Sequence, residues 1–144
     1  MTAIRRLRVL PPDFPALAAV AEAEGFRMLG VLATEWTNGA NRFAGPGEAL
    51  FGGVAAAGDL VAIGGITRDP WAEALRMRRF YVAPWVRRDG TGTALARAAL
   101  SAARGCGVGL VRLRAPASAF AFWEALGFRP LSGDPQATHI MALD

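Results

Sequence analysis

The segment Val82 to Leu95 reads V-A-P-W-V-R-R-D-G-T-G-T-A-L and lies between an apolar, strand-like run and an alanine-rich helical one. Small residues at a helix start leave backbone N–H groups free, and such a turn can cradle a pyrophosphate. Gly90 and Gly92 permit close approach, the helix N-terminus favours an anion, and Arg87 and Arg88 supply charge. The competing account is a tight strand-to-helix loop with no ligand, and glycines alone do not decide between the two. A dinucleotide fingerprint needs a third small residue where Leu95 stands and an acidic residue about 20 positions further on, and neither is present. A P-loop needs a lysine. What remains is R-x-x-G-x-G, carried by Arg87, Gly90 and Gly92.

The lysine test reaches further than this loop. All 16 basic residues among the 144 are arginine. Schiff-base chemistry and phosphoryl transfer that depends on a strand lysine are therefore excluded. With 12 acidic residues the net charge is only +4, so the sequence pI of about 10.9 reflects the high pKa of arginine more than a charge excess. Aromatic residues do not interleave with the basic ones in the manner of a nucleic-acid surface, and no nucleic-acid partner is expected. No apolar run reaches the roughly 18–20 residues of a membrane span, and Met1 to Leu10 has no signal-peptide core, which points to a cytoplasmic protein without membrane contact. Cys106 and His139 are single, so neither a disulfide nor a cysteine- or histidine-based metal site is expected.

Stepping out along the chain, Ile4, Leu7, Val9 and Leu10 suit a first strand closed by Pro11 and Pro12. Asp13 is placed to cap a helix that Gly25 ends, and Leu29, Leu32, Ala33 and Trp36 give a second helix its apolar face. The polar loop from Thr37 to Gly47 is longer than most connections, which suits either a functional loop or a flexible linker. Ala49 to Ala56 and Leu60 to Ile66 form a hairpin about Gly58-Asp59. Leu75 to Val82 alternates, placing Leu75, Met77, Arg79 and Tyr81 on one face and Arg76, Arg78, Phe80 and Val82 on the other. A helix follows the glycine loop and ends at Gly105, Gly107 and Gly109. Then come a strand over Val108 to Leu113, a helix over Ser118 to Leu126, and strands at Phe128 to Leu131 and Thr138 to Leu143. The expected fold is a single α/β domain over residues 1–144 in the order β-α-α-β-β-β-α-β-α-β-β, built on one mixed sheet.

F-Y-V-A-P before R-R-D-G-T-G-T-A-L, and F-W-E-A-L-G-F at Phe122 to Phe128, resemble the two signature motifs of the GNAT superfamily of N-acetyltransferases, in order and spacing. Gly39 to Leu50 also resembles a stretch found in bacterial members without an assigned substrate. The resemblance covers nearly the whole chain. It implies a mostly antiparallel sheet with a splayed central strand pair, and transfer of acetyl from acetyl-CoA to an amine by direct attack through a tetrahedral intermediate. Arg87, Arg88, Asp89, Gly90, Thr91, Gly92 and Thr93 would hold the pyrophosphate. Phe80, Tyr81 and Val82 would run beside the pantetheine arm, the Val82 N–H facing the developing oxyanion.

One position departs from the family pattern. Where members often carry a tyrosine as acid toward the leaving thiolate, this chain has Trp123, whose indole N–H is far too weak an acid. A thiol has a reference pKa of about 8.5, so water can serve instead. Tyr81 reads as a packing residue. Glu35, beside the long loop, is the preferred base, with a solvated helix-end carboxylate as the competing account; Glu48 and Glu73 are weaker alternatives. Trp36, Asn41, Arg42 and Phe43 line the expected acceptor site, or else Trp36 and Phe43 pin the loop to the core. Arg76, Arg78 and Arg79 meet the cofactor's 3′-phosphate, an acidic acceptor or solvent. His139 reads as a structural histidine rather than the partner of a Cys106 nucleophile. The acceptor expected is a small-molecule amine, and the paired final strands suit a homodimer. A non-catalytic acyl-CoA-binding module, suggested by Trp123, and an arginine-rich nucleic-acid binder are the rival readings.

Overall fold

The computed structural model describes residues 2–144. The chain folds as β1 (Thr2–Arg6), α1 (Phe14–Ala23), α2 (Met28–Asn38), β2 (Ala49–Ala55), β3 (Leu60–Arg68), β4 (Leu75–Val82), α3 (Thr91–Ala103), β5 (Leu110–Leu113), α4 (Phe120–Ala125), β6 (Arg129–Pro130) and β7 (His139–Ala142). This is the expected element order. The strands form one sheet in the order β1-β2-β3-β4-β5-β7-β6, antiparallel throughout except for β4 against β5. Leu29 and Leu32 of α2 and Phe14 and Leu17 of α1 pack with Ile63 and Tyr81 in one core. Ala96, Ala99 and Leu100 of α3 pack with Leu75, Val111 and Trp123 in the other.

Two local expectations give way. The first strand ends at Arg6 instead of Leu10: the Leu7 N–H makes the last contact with β2, to the Leu50 carbonyl at 2.8 Å, and Leu7 and Leu10 pack on the α1–α2 core. Asp13 precedes α1 but makes no side-chain cap; its Oδ2 accepts the Leu60 N–H at 2.8 Å and ties the helix start to β3.

The alternation expected along β4 also fails beyond Met77. Gly65 pairs with Arg78 and Ile63 with Tyr81, so Gly64 alone faces both Arg79 and Phe80. This is a β-bulge, and Arg79 adopts φ +62° within it. The extra residue reverses the parity of the side chains. Phe80 joins Leu75 and Met77 on the α3–α4 face, whereas Tyr81 turns into the α1–α2 core. Gly64 makes room for this, since a Cβ there would lie 2.5 Å from Phe80 Cδ2.

Beside the bulge the sheet opens. β4 and β5 pair only at Leu75 with Val111 and at Arg76 with Arg112, and then diverge. The two arginines at this vertex are buried and converge on Asp69, whose side chain is fully enclosed. Asp69 Oδ2 lies 3.0 Å from Arg112 Nε and 3.4 Å from Arg76 Nε, and Asp69 Oδ1 accepts the Trp71 N–H at 2.8 Å. Arg112 also reaches Asp134 at 2.9 Å, and Arg76 donates to the Gln136 carbonyl. Two permanent cations are thus matched by two carboxylates where the strands part.

Removing one partner of such a group leaves a buried charge uncompensated. Asp69→Asn is expected to lower stability by about 3–5 kcal/mol in urea unfolding. A loss of less than about 1 kcal/mol, the scale of an exposed pair, would show that the vertex does not depend on this carboxylate.

Candidate active site

The divergence of β4 from β5 leaves a cleft of about 780 Å³, bordered by Phe80, Val82, Gly92, Ala119, Phe122 and Trp123 among others. On its β4 side the backbone itself is available. Ala83 donates to the Val61 carbonyl at 2.8 Å, so Val82, opposite Ala62, is in a non-hydrogen-bonded position and turns its N–H and C=O away from β3 toward the cleft. Arg87 Nε donates to the Val82 carbonyl at 3.0 Å, and among the described residues the Val82 N–H has no acceptor.

The loop after β4 makes a short 3-10 turn at Pro84–Val86, and then places Arg88 at φ +67° and Gly90 at φ +90° before α3 begins. Gly90 is the N-cap, and Asp89 just before it folds onto the helix start. Its Oδ1 accepts the Thr91 hydroxyl at 2.5 Å and the Thr91 N–H at 2.9 Å, which hold its carboxyl below the ordinary carboxylate range. Among the described residues the Gly92 and Thr93 N–H groups have no protein acceptor, so the first turn of α3 presents two donors and its positive dipole end. Gly92 borders the cleft, and a Cβ there would already meet Phe122 at 3.2 Å. This donor set, backed by a permissive glycine, fits a pyrophosphate.

Arg87 and Arg88 differ in placement. The Arg87 guanidinium grips Glu24 at the end of α1, with Nη2 2.6 Å from Oε1 and Nη1 3.0 Å from Oε2. Arg88 is exposed. Tyr81 donates its hydroxyl to the same Glu24 carboxylate, and the Arg87 guanidinium lies 5.7 Å from the Tyr81 ring centroid. Burial, reinforced by Glu24, pushes the Tyr81 phenol up to about 12. Sequence reasoning missed Glu24, whose partners lie 57 and 63 residues away.

Glu35 and Arg79 form an ion pair at 2.9 Å. Glu35 lines a second cavity of about 560 Å³ together with Asn41, Arg42, Glu48, Arg68 and Arg78, on the α2 side of the sheet. Glu48 is held structurally, accepting the Gly45 and Arg68 N–H groups, and Glu73 is exposed. Of the four residues expected at the acceptor site, Asn41 and Arg42 line this cavity. Trp36 and Phe43 do not. Phe43 is buried against Gly65 with φ +52°, and Trp36 packs on the α1–α2 core, so both pin the loop.

The solvated reading of the arginine strand is overturned as well. Arg76 is buried, and Arg78 and Arg79 are half-buried. His139 bonds to Thr138 and Glu124 and lies edge-on to Phe120, whereas Cys106 packs on the α3–α4 core, so they form no catalytic pair. Trp123 is buried among Phe80, Phe122 and Phe128, all in edge-to-face contact.

A family model described as an acetyltransferase (GNAT) domain matches residues 48–130, more than half of the chain. The chain belongs to the GNAT acetyltransferase family. Its fold is similar to that of a putative acetyltransferase from Exiguobacterium, with 27% identity, 99% of this chain and 93% of that one covered, and a TM-score of 0.88. A putative GNAT acetyltransferase from Desulfovibrio desulfuricans aligns over 100% of both chains at 19% identity and TM-score 0.78. An Escherichia coli GNAT N-acetyltransferase solved with CoA aligns over 99% of this chain and 82% of its own at 15% identity and TM-score 0.72. No curated protein matches the sequence. The family match runs from β2 to β6 and includes the β4–α3 loop, but not α1 and α2. Among the described residues no helix is long and apolar enough to cross a membrane.

The Glu24 contacts carry a pH signature. Arg87 first, then Tyr81, hold the Glu24 carboxyl below its ordinary 4.5, so its contribution to stability is complete above pH 4.5 and fades as pH falls through the folded-state value. Glu24→Gln is expected to lower Tm near neutrality, with the gap to wild type closing in acid; a gap independent of pH would contradict the pairing. Tyr81 is the only tyrosine, so ultraviolet titration of tyrosinate reads it alone. The expected step lies near 12 in the folded protein. A step at the ordinary 10.0 would show an unengaged hydroxyl.

Proposed function

We propose that the protein transfers the acetyl group of acetyl-CoA to the amine of a small molecule. The observation that carries this reading is the cleft between β4 and β5, bordered by the inward-facing Val82 N–H and the free first turn of α3. The Gly92 and Thr93 N–H groups and Arg88 bind the pyrophosphate. Arg87 fixes the loop through Glu24 and the Val82 carbonyl. Along the open edge of β4, beside Phe80 and Val82, the pantetheine arm lies with its thioester carbonyl toward the Val82 N–H.

The amine nitrogen attacks the thioester carbon, and negative charge on the carbonyl oxygen is met by that N–H. Collapse breaks the carbon–sulfur bond, the attacking nitrogen gives up its second proton to water to leave the neutral amide, and the departing CoA thiolate is protonated from water. Tyr81 takes no part as acid, because its proton is committed to Glu24 and its phenol is displaced upward. The protonated amine must first lose a proton, and Glu35, facing the adjoining cavity, accepts it.

Acetyl-CoA is expected to raise the Tm of the wild type and not that of Gly92→Trp, whose indole would fill the cradle. An unchanged cofactor-induced shift would remove the loop from the site. Glu35→Gln is expected to slow turnover by about 10²–10⁴-fold near neutrality, with recovery at high pH as the amine deprotonates unaided. Full activity across pH would exclude Glu35. The burial of Trp123 and the commitment of Tyr81 also favour a second reading, a non-catalytic acyl-CoA-binding module. Acetyl-CoA binding without CoA release over a broad amine panel would decide for it.

A further inference from the structure

Arg78 stands in the wall shared by the two cavities, lining both the cleft between β4 and β5 and the adjoining space beneath the 39–48 loop. Every other arginine on β4 and β5 has a carboxylate. Arg76 and Arg112 have Asp69, and Arg79 has Glu35. Arg78 has none within ion-pair distance among the described residues; its one side-chain hydrogen bond is a long contact to Thr67 Oγ1 at 3.4 Å. Burial, and then the neighbouring Arg79 guanidinium, act against its charge. Glu35, Asp69 and Glu48 favour the charge from a distance, but each is engaged elsewhere: Glu35 by Arg79, Asp69 by Arg76 and Arg112, and both oxygens of Glu48 by backbone N–H groups. Arg42 and Arg68 add further positive charge to the same cavity.

A half-buried guanidinium with no carboxylate in ion-pair contact among the described residues, at the junction of two cavities, is a site for an anion. One unpaired guanidinium fork matches the single charge and planar oxygens of a carboxylate better than a phosphate dianion. We propose that Arg78 binds a carboxylate of the acetyl acceptor, so that the acceptor is an amino acid, its carboxylate held at the cavity junction and its amine turned into the cleft toward Val82. This rests on the acetyl-transfer reading above and narrows its substrate class.

The test measures CoA thiol release by the full chain with alanine, leucine, phenylalanine and glutamate. Each is set against its α-carboxyl methyl ester and the amine left by removing the α-carboxyl. The expected result is at least about a tenfold preference in kcat/KM for the free acid in one or more sets, the scale of a charge-assisted hydrogen bond. Arg78→Gln abolishes that preference through the acceptor KM and leaves the KM for acetyl-CoA unchanged, and Arg78→Lys restores part of it. Equal or better use of the esters and decarboxylated amines, or a preference that survives in Arg78→Gln, overturns the proposal.

A second measurement does not need turnover. In the presence of CoA, the N-acetyl forms of the same four amino acids should raise the Tm of the wild type and not of Arg78→Gln. If no amine is acetylated but this protection is seen, the acetyl-transfer reading fails and the carboxylate site stands. If neither turnover nor protection is found, the site falls.

Discussion

The structure depends on one buried carboxylate. Asp69 sits where β4 and β5 share their last paired residues, and it faces two arginines that cannot shed their charge by losing a proton. Neighbouring strands lie about 4.8 Å apart, so two guanidiniums at one register position repel unless an anion lies between them. Asp69 supplies that anion from the turn between β3 and β4, and Asp134 supplies a second from the segment before β7. The pairing that remains is two residues long, and past it the strands are free to part. The cleft is the space this leaves.

The bulge completes the opening from the other side of β4. With Gly64 opposed to both Arg79 and Phe80, the strand keeps its ladder to β3 while its side chains exchange faces. Phe80 packs edge-on to Trp123 below the cleft, and Tyr81 reaches across the α1 side to Glu24, which Arg87 also holds. The β4–α3 loop, the end of α1 and strand β4 are thereby joined through a single exposed carboxylate. In the proposed reaction, backbone N–H groups at Val82, Gly92 and Thr93 meet the oxyanion and the phosphates, which agrees with a chain that has no lysine to offer a phosphate.

Much of this was legible in the sequence, and the failures share a cause. Apolar periodicity located the eleven helices and strands in order, and the glycine pattern after Val82 marked the helix start that presents free donors. An inserted residue, in contrast, has no signature in an alternating pattern, so Arg79 and Tyr81 were assigned to the wrong face. The arginines of β4 fit solvent as well as a phosphate or an acidic acceptor, because several of their partners lie far along the chain. Glu35 is 44 residues from Arg79, and Gln136, whose carbonyl accepts from Arg76, is 60 residues from it. Trp36 and Phe43 carried the residue types of a binding loop but not its orientation, which the close approach of Phe43 to Gly65 determines.

The proposed acetyl-CoA site lies where β4 diverges from β5, with backbone donors in place of a lysine. A crystal structure of the chain with CoA tests it most directly. The account predicts the pantetheine arm between β4 and β5 beside Val82, and the pyrophosphate on the Gly92 and Thr93 N–H groups with Arg87 still on Glu24. CoA bound on another face, with the wedge closed or the first turn of α3 unengaged, would contradict it.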